Sequence, residues 1–76
     1  MKEAVEMIVR ELVGDADAVD VREIAHERAT TIEVRVAPDD MGKLIGRQGK
    51  TVRALRSLLH AAGMKRGHRY VLDIIE

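Results

Sequence analysis

LIGRQGKT, residues 44–51, ends in the three letters that close a phosphate-gripping P-loop, and its two glycines bracket Arg47 and Gln48. A P-loop needs G-x-x-x-x-G-K-[ST] after a strand, because a long glycine-rich loop has to wrap the phosphate chain. Counting back from Gly49, the leading glycine falls at residue 44, which is Leu44. The dinucleotide fingerprint G-x-G-x-x-G fails at the same position. Upstream, Met41, Leu44 and Ile45 have the i, i+3, i+4 spacing of a helix face. Neither nucleotide motif survives, and the stretch reads as two helices joined by Gly46-Arg47-Gln48-Gly49.

Two helices joined so briefly must turn sharply, and glycine permits backbone angles that a residue with a Cβ resists. Glycine also leaves no side chain to hold a ligand's backbone away. The helix that starts after the turn presents unpaired N–H groups and a partial positive charge. Arg47 and Lys50 add full charges there, and Lys43 lies one turn behind. A phosphodiester can approach such a turn with little hindrance. An ordinary helix–helix turn carries the same letters, however, and G-x-x-G alone does not separate the two.

Outward from this turn the remaining elements follow from periodicity. Residues 2–13 form an amphipathic helix with Val5, Ile8, Val9 and Leu12 on one stripe, and Gly14 is placed to cap its C-terminus. Val19 to Glu27 is extended, with an alternation that slips between Val21 and Ile24; a bulge near Arg22-Glu23 would reconcile it. Thr31 to Ala37 alternates cleanly, Ile32, Val34 and Val36 against Glu33 and Arg35, and Arg28-Ala29-Thr30 links the two strands as a hairpin. Pro38-Asp39-Asp40 ends the second strand and offers an N-cap for the short helix carrying Met41, Leu44 and Ile45. After the G-x-x-G turn a helix runs from Lys50 to Ala62, with Val52, Leu55, Leu59 and Ala62 inward and Arg53, Arg56 and His60 on another stripe. Gly63 closes it, and a last strand follows from Arg69 to Ile75. The order is α-β-β-α-α-β. The two helices between the second and third strands make a right-handed crossover, so those strands are parallel. The expected fold is α+β: one domain over residues 1–76, a mixed three-stranded sheet with three helices on one face.

Composition narrows the function. The chain is 46% hydrophobic and 34% charged, enough apolar content to fold, yet Tyr70 is its only aromatic residue, so the core is aliphatic. Without cysteine there are no disulfides or thiolate metal sites, and His26, His60 and His68 have no metal-ligand spacing; no cofactor is expected. No run approaches a membrane span, and the opening MKEAVE carries acids where a signal peptide is apolar, which points to a cytoplasmic protein. The zero net charge hides an asymmetry. Residues 1–40 hold eleven acids and five bases, a net of −6, whereas residues 41–76 hold eight bases and two acids, a net of +6. This suits the second half to a polyanion, although charges segregated by chance or paired across the fold would give the same count.

The stretch from Met41 to Thr51 resembles the KH domain signature, an I-G-x-x-G core between two short helices, and the element order corresponds to the type II, bacterial form. Together with Val21-Arg22-Glu23 and Val34-Arg35-Val36-Ala37-Pro38, the whole chain is similar to the small single-domain KhpA family. That resemblance implies that Gly46, Arg47, Gln48 and Gly49 clamp the backbone of about four unpaired nucleotides. It places Ile45 in or beneath a narrow aliphatic groove for the bases. The last strand and the loop before it would supply the other wall, bringing Lys65, Arg66, His68 and Arg69 within reach. It further implies a single-stranded RNA-binding protein that self-associates or pairs with a larger KH-containing protein of the KhpB type. A dimerisation scaffold with little RNA affinity is the competing reading. No nucleophile–base or carboxylate pair stands at catalytic spacing, so an enzyme is not expected.

Overall fold

In the computed structural model, which describes residues 1–76, the central hydrogen-bonded ladder is a three-stranded sheet in the order β1-β2-β3. β1 (Asp20–Ala25) pairs antiparallel with β2 (Ala29–Arg35), and β2 pairs parallel with β3 (Arg69–Ile74). The crossover between the parallel strands is built from α2 (Met41–Ile45) and α3 (Lys50–Arg66), while α1 (Lys2–Leu12) packs against β1 and α2. The mixed α+β architecture is the one the periodicity implies.

Alternation decides which face of the sheet is covered. Val21, Ile32, Val34 and Leu72 point inward and are buried, meeting Val5 and Val9 of α1, Leu44 of α2, and Val52, Leu55 and Leu59 of α3. The core is wholly aliphatic. Leu44, fully buried, ties the short α2 to it, and truncation to alanine at such a site costs about 2–5 kcal/mol. The stripe on α1 is narrower than its sequence suggests. Ile8 and Leu12 are more than a third exposed, because α1 lies over the β1 edge and only the Val5–Val9 line faces the core.

Five local expectations are corrected. β1 carries no bulge: its register with β2 runs unbroken from Asp20↔Arg35 to Ala25↔Thr30, and Ile24 simply lies on the open face. The hairpin turn is His26-Glu27-Arg28, closed by His26 N–H donating to Ala29 O at 2.7 Å, so Ala29 and Thr30 belong to β2. Gly14 is not a left-handed cap. α1 ends on extended Val13, and Gly14 instead lets Asp40 and Lys43 approach closely, since a Cβ there would sit 3.2 Å from Lys43 Nζ. Asp40 makes no side-chain cap to α2. Finally, α3 does not stop at Gly63. It continues to Arg66 and ends in a Schellman motif, with left-handed Gly67 (φ 62°) and His68 N–H donating to Gly63 O at 2.9 Å. Gly63 is buried within the helix, and the position takes glycine because a Cβ there would collide with the His68 carbonyl.

Candidate functional site

The turn between α2 and α3 depends on three residues in left-handed or related conformations. Gly46 has φ 80°, Gln48 has φ 56° and Gly49 has φ 75°. Gly46 is required twice over, by that angle and by Thr51, whose Cβ and N would each lie 2.8 Å from an added Cβ. At Gly49 only the angle demands glycine, since the space beside it is open apart from Arg53 Nε at 4.0 Å. Arg47 to Gly49 form a single 3-10 turn, and Gly49 N–H donates to Gly46 O at 3.0 Å. The side chains of Arg47 and Gln48 are exposed at its tip.

The turn is braced from the helix that follows. Arg53 Nη2 donates to Gln48 O at 2.8 Å and Nε to Gly49 O at 3.3 Å, so one guanidinium fork holds two carbonyls of the strained segment. At the start of α3 the Lys50 N–H is itself used within the turn, donating to Arg47 O. No acid stands in that turn, and Lys50 is exposed beside it. An anion brought to this turn would meet the exposed side chains of Arg47 and Lys50 and the positive end of the α3 dipole.

Beside the turn lies an apolar hollow of ≈ 380 Å³ lined by Val36, Pro38, Met41, Ile45 and Glu76. Ile45 is 38% exposed, so it forms part of the wall of this hollow and is not sealed beneath it. Leu44, one residue earlier, faces the core.

Asp40 fixes α2 from behind. Its buried carboxylate accepts hydrogen bonds from Asp15 N–H at 3.0 Å and Gly14 N–H at 3.1 Å, and Lys43 Nζ lies 3.5 Å away. These partners, Asp15 and Gly14 first and Lys43 after them, hold the carboxyl below its ordinary pKa against the opposing effect of burial. Lys43 thus pairs with Asp40, whereas Arg47 and Lys50 have no ion-pair partner.

A family model for the KhpA/KhpB KH domain matches residues 2–74. The chain belongs to the KhpA/KhpB KH-domain family. Among curated proteins, it is 49% identical to the RNA-binding protein KhpA of Aquifex aeolicus, over its whole length and 96% of that protein. It is also 49% identical to the KhpA of Halalkalibacterium halodurans, with both chains covered completely. The KhpA of Streptomyces coelicolor is 46% identical over the whole of this chain and 92% of its own. No solved structure matches the chain.

In this KH domain the structure gathers Gly46, Arg47, Gln48, Gly49, Lys50 and Ile45 at one end of the sheet. It does not gather all the residues expected there. Lys65, Arg66 and Arg69 lie at the opposite end of α3, whose 17 residues span about 25 Å at 1.5 Å per residue. Sequence reasoning missed two contributors. The brace from Arg53 was open to discovery, because a long cation four residues after a helix-starting glycine can reach back to its carbonyl. Asp40 carried no such signal, since Asp39 beside it looks the same.

Proposed function

We propose that this KH domain is a single-stranded RNA-binding module and not an enzyme, holding about four nucleotides on the G-x-x-G turn and the neighbouring hollow. The observation that carries the reading is the pairing of an acid-free, glycine-bounded turn with an apolar hollow walled by Ile45. Phosphates would meet Arg47, Lys50 and the positive end of the α3 dipole, while unstacked bases would lie against Ile45, Met41 and Val36. The names of the KhpA relatives support the ligand class. A duplex does not fit so small a hollow, so unpaired RNA should bind more tightly than the same sequence paired.

The direct test is R47D/Q48D. Both side chains are exposed, so thermal unfolding should stay near wild type, and acids are tolerated at a helix N-terminus. RNA affinity should fall to the detection limit, because two carboxylates would line the phosphate path. Wild-type affinity in this variant would reduce residues 46–49 to a helix turn.

The reading includes a second chain, either another copy or a larger KH-containing protein of the KhpB type. Its support is the open sheet face, where Ile24 and Val71 flank Thr31 in register and are 42% and 36% exposed. Sedimentation should detect self-association at micromolar concentration. A strictly monomeric chain would leave only the larger partner.

A further inference from the structure

Tyr70, the sole aromatic residue of the chain, is not near the glycine turn. The Schellman cap at Gly67 swings the chain from α3 into β3 so tightly that His68, Arg69 and Tyr70 form one wall of a hollow, opposite the last turns of α3. Its volume is ≈ 510 Å³, within the range of small-molecule sites. Arg28 joins from the hairpin turn, where its carbonyl accepts a hydrogen bond from Arg69 N–H at 3.2 Å. The His68 ring is fixed by a 2.7 Å hydrogen bond between Nε2 and Thr30 Oγ1, and it meets Tyr70 edge-on with centroids 5.0 Å apart.

The charge of this hollow is one-sided. No acid lines it, and neither Arg28 nor Arg69 has an ion-pair partner. A helix C-terminus ordinarily disfavours anions. Here, though, the carbonyls of Gly63 and Met64 are occupied by the N–H groups of His68 and Gly67, and Lys65 and Arg66 stand in the last turn. A smaller hollow adjoins it, sharing His60, Arg69 and Tyr70 and adding Arg56. Arg53, Arg56 and His60 recur at three- and four-residue spacing along one face of α3, which leads back to the glycine turn.

We infer that this pocket is a second nucleotide-binding point for the same RNA strand, with a phosphate on Arg28 and Arg69 and a base against Tyr70 and His68. From Lys50 to Gly63 along α3 the separation is about 20 Å, so the strand would run beyond the nucleotides held at the turn. The inference rests on the RNA-binding reading and extends it. Two linked contacts on one strand raise affinity through effective concentration, and stacking on an aromatic ring tolerates any base.

The test titrates an unstructured four-nucleotide RNA, a twelve-nucleotide RNA and uridine monophosphate against wild type and R28E/R69E. Thermal unfolding checks the fold, and R28Q/R69Q replaces the charge reversal if that variant does not fold. The longer RNA offers about nine overlapping registers to a single four-nucleotide site. Wild type with two linked contacts should bind it about a hundredfold or more tighter than the shorter, well beyond that count. The arginine variant should fall back to about the ninefold gain that counting gives and keep its four-nucleotide affinity. Wild-type affinity of the variant for the longer RNA overturns the inference, as does a wild-type gain with length no larger than about the ninefold that counting gives; the RNA-binding function stands in either case. If uridine monophosphate binding depends on Arg28 and Arg69 while the longer RNA ignores both, the pocket takes a free nucleotide and the inference fails. If wild type binds neither RNA, the proposed function fails and the inference with it.

Discussion

Gln48 sits at φ 56° and ψ 27°, a left-handed conformation that costs a residue with a Cβ roughly 1–2 kcal/mol. What holds it there is the pair of hydrogen bonds from Arg53 to the carbonyls of Gln48 and Gly49. In sequence Arg53 looks like one more cation of the α3 stripe. In the structure its work is geometric: it orients the turn that would meet phosphate. Arg53→Ala should therefore weaken RNA binding about tenfold while costing about 1 kcal/mol of stability or less, as expected for exposed hydrogen bonds. Arg53→Lys separates brace from charge, since an ammonium cannot span two carbonyls as a guanidinium fork does. Paired RNA titrations should find the lysine variant as weak as the alanine one. Recovery with lysine would mean that Arg53 contacts phosphate directly.

The short α2 is held at both ends by features that periodicity does not report. Its apolar spacing was legible, and so were the parallel crossover and the clean alternation of β2. The two misread helix ends, at Gly14 and Gly63, share one cause: a glycine's role depends on what stands beside it in space. Gly63 looked like a stop, yet it is buried where β3 begins, and Gly67 is the cap. The apparent bulge in β1 came from assuming that Ile24 must be covered. Asp40 joins the segment after α1 to the start of α2, and its pH behaviour follows from the depressed carboxyl. A carboxyl with a lowered folded-state pKa stabilises fully above its unfolded value, near 3.9, and loses that contribution as pH falls through the folded value. Asp40→Asn removes the charge and turns a donor toward one of the two backbone N–H groups. Thermal melts should rank wild type above Asp40→Asn by a constant margin from pH 5 to pH 8, and that margin should shrink below pH 4. A margin unchanged down to pH 2 would show that the charge of Asp40 contributes nothing.

Across the whole molecule, the charge asymmetry of the sequence becomes an asymmetry in space. The order β1-β2-β3 sets α1 and β1, with Glu3, Glu6, Glu11 and Asp20, toward one edge, and α3 with β3 toward the other. The hairpin crosses this division, because its turn brings Arg28 across to Arg69. That crossing explains why the second pocket was not legible: Arg28 belongs by sequence to the acidic half, and a contact across 41 positions leaves no periodic trace. Salt dependence reads out the arrangement directly, since each neutralised phosphate of a single strand contributes a slope of about −0.7 to the logarithm of affinity against the logarithm of salt. Arg47 and Lys50 alone imply a slope of about −1.4 for a four-nucleotide RNA. Engagement of Arg28 and Arg69 as well raises it to about −2.8 for a twelve-nucleotide RNA. Titrations at several salt concentrations measure both slopes. The R28E/R69E variant should keep the shallower slope with either RNA, because its remaining phosphate contacts lie at the glycine turn. A slope near zero for wild type would move binding from the basic edge to the apolar hollow alone, and equal non-zero slopes for the two lengths would confine the charge contacts to the turn.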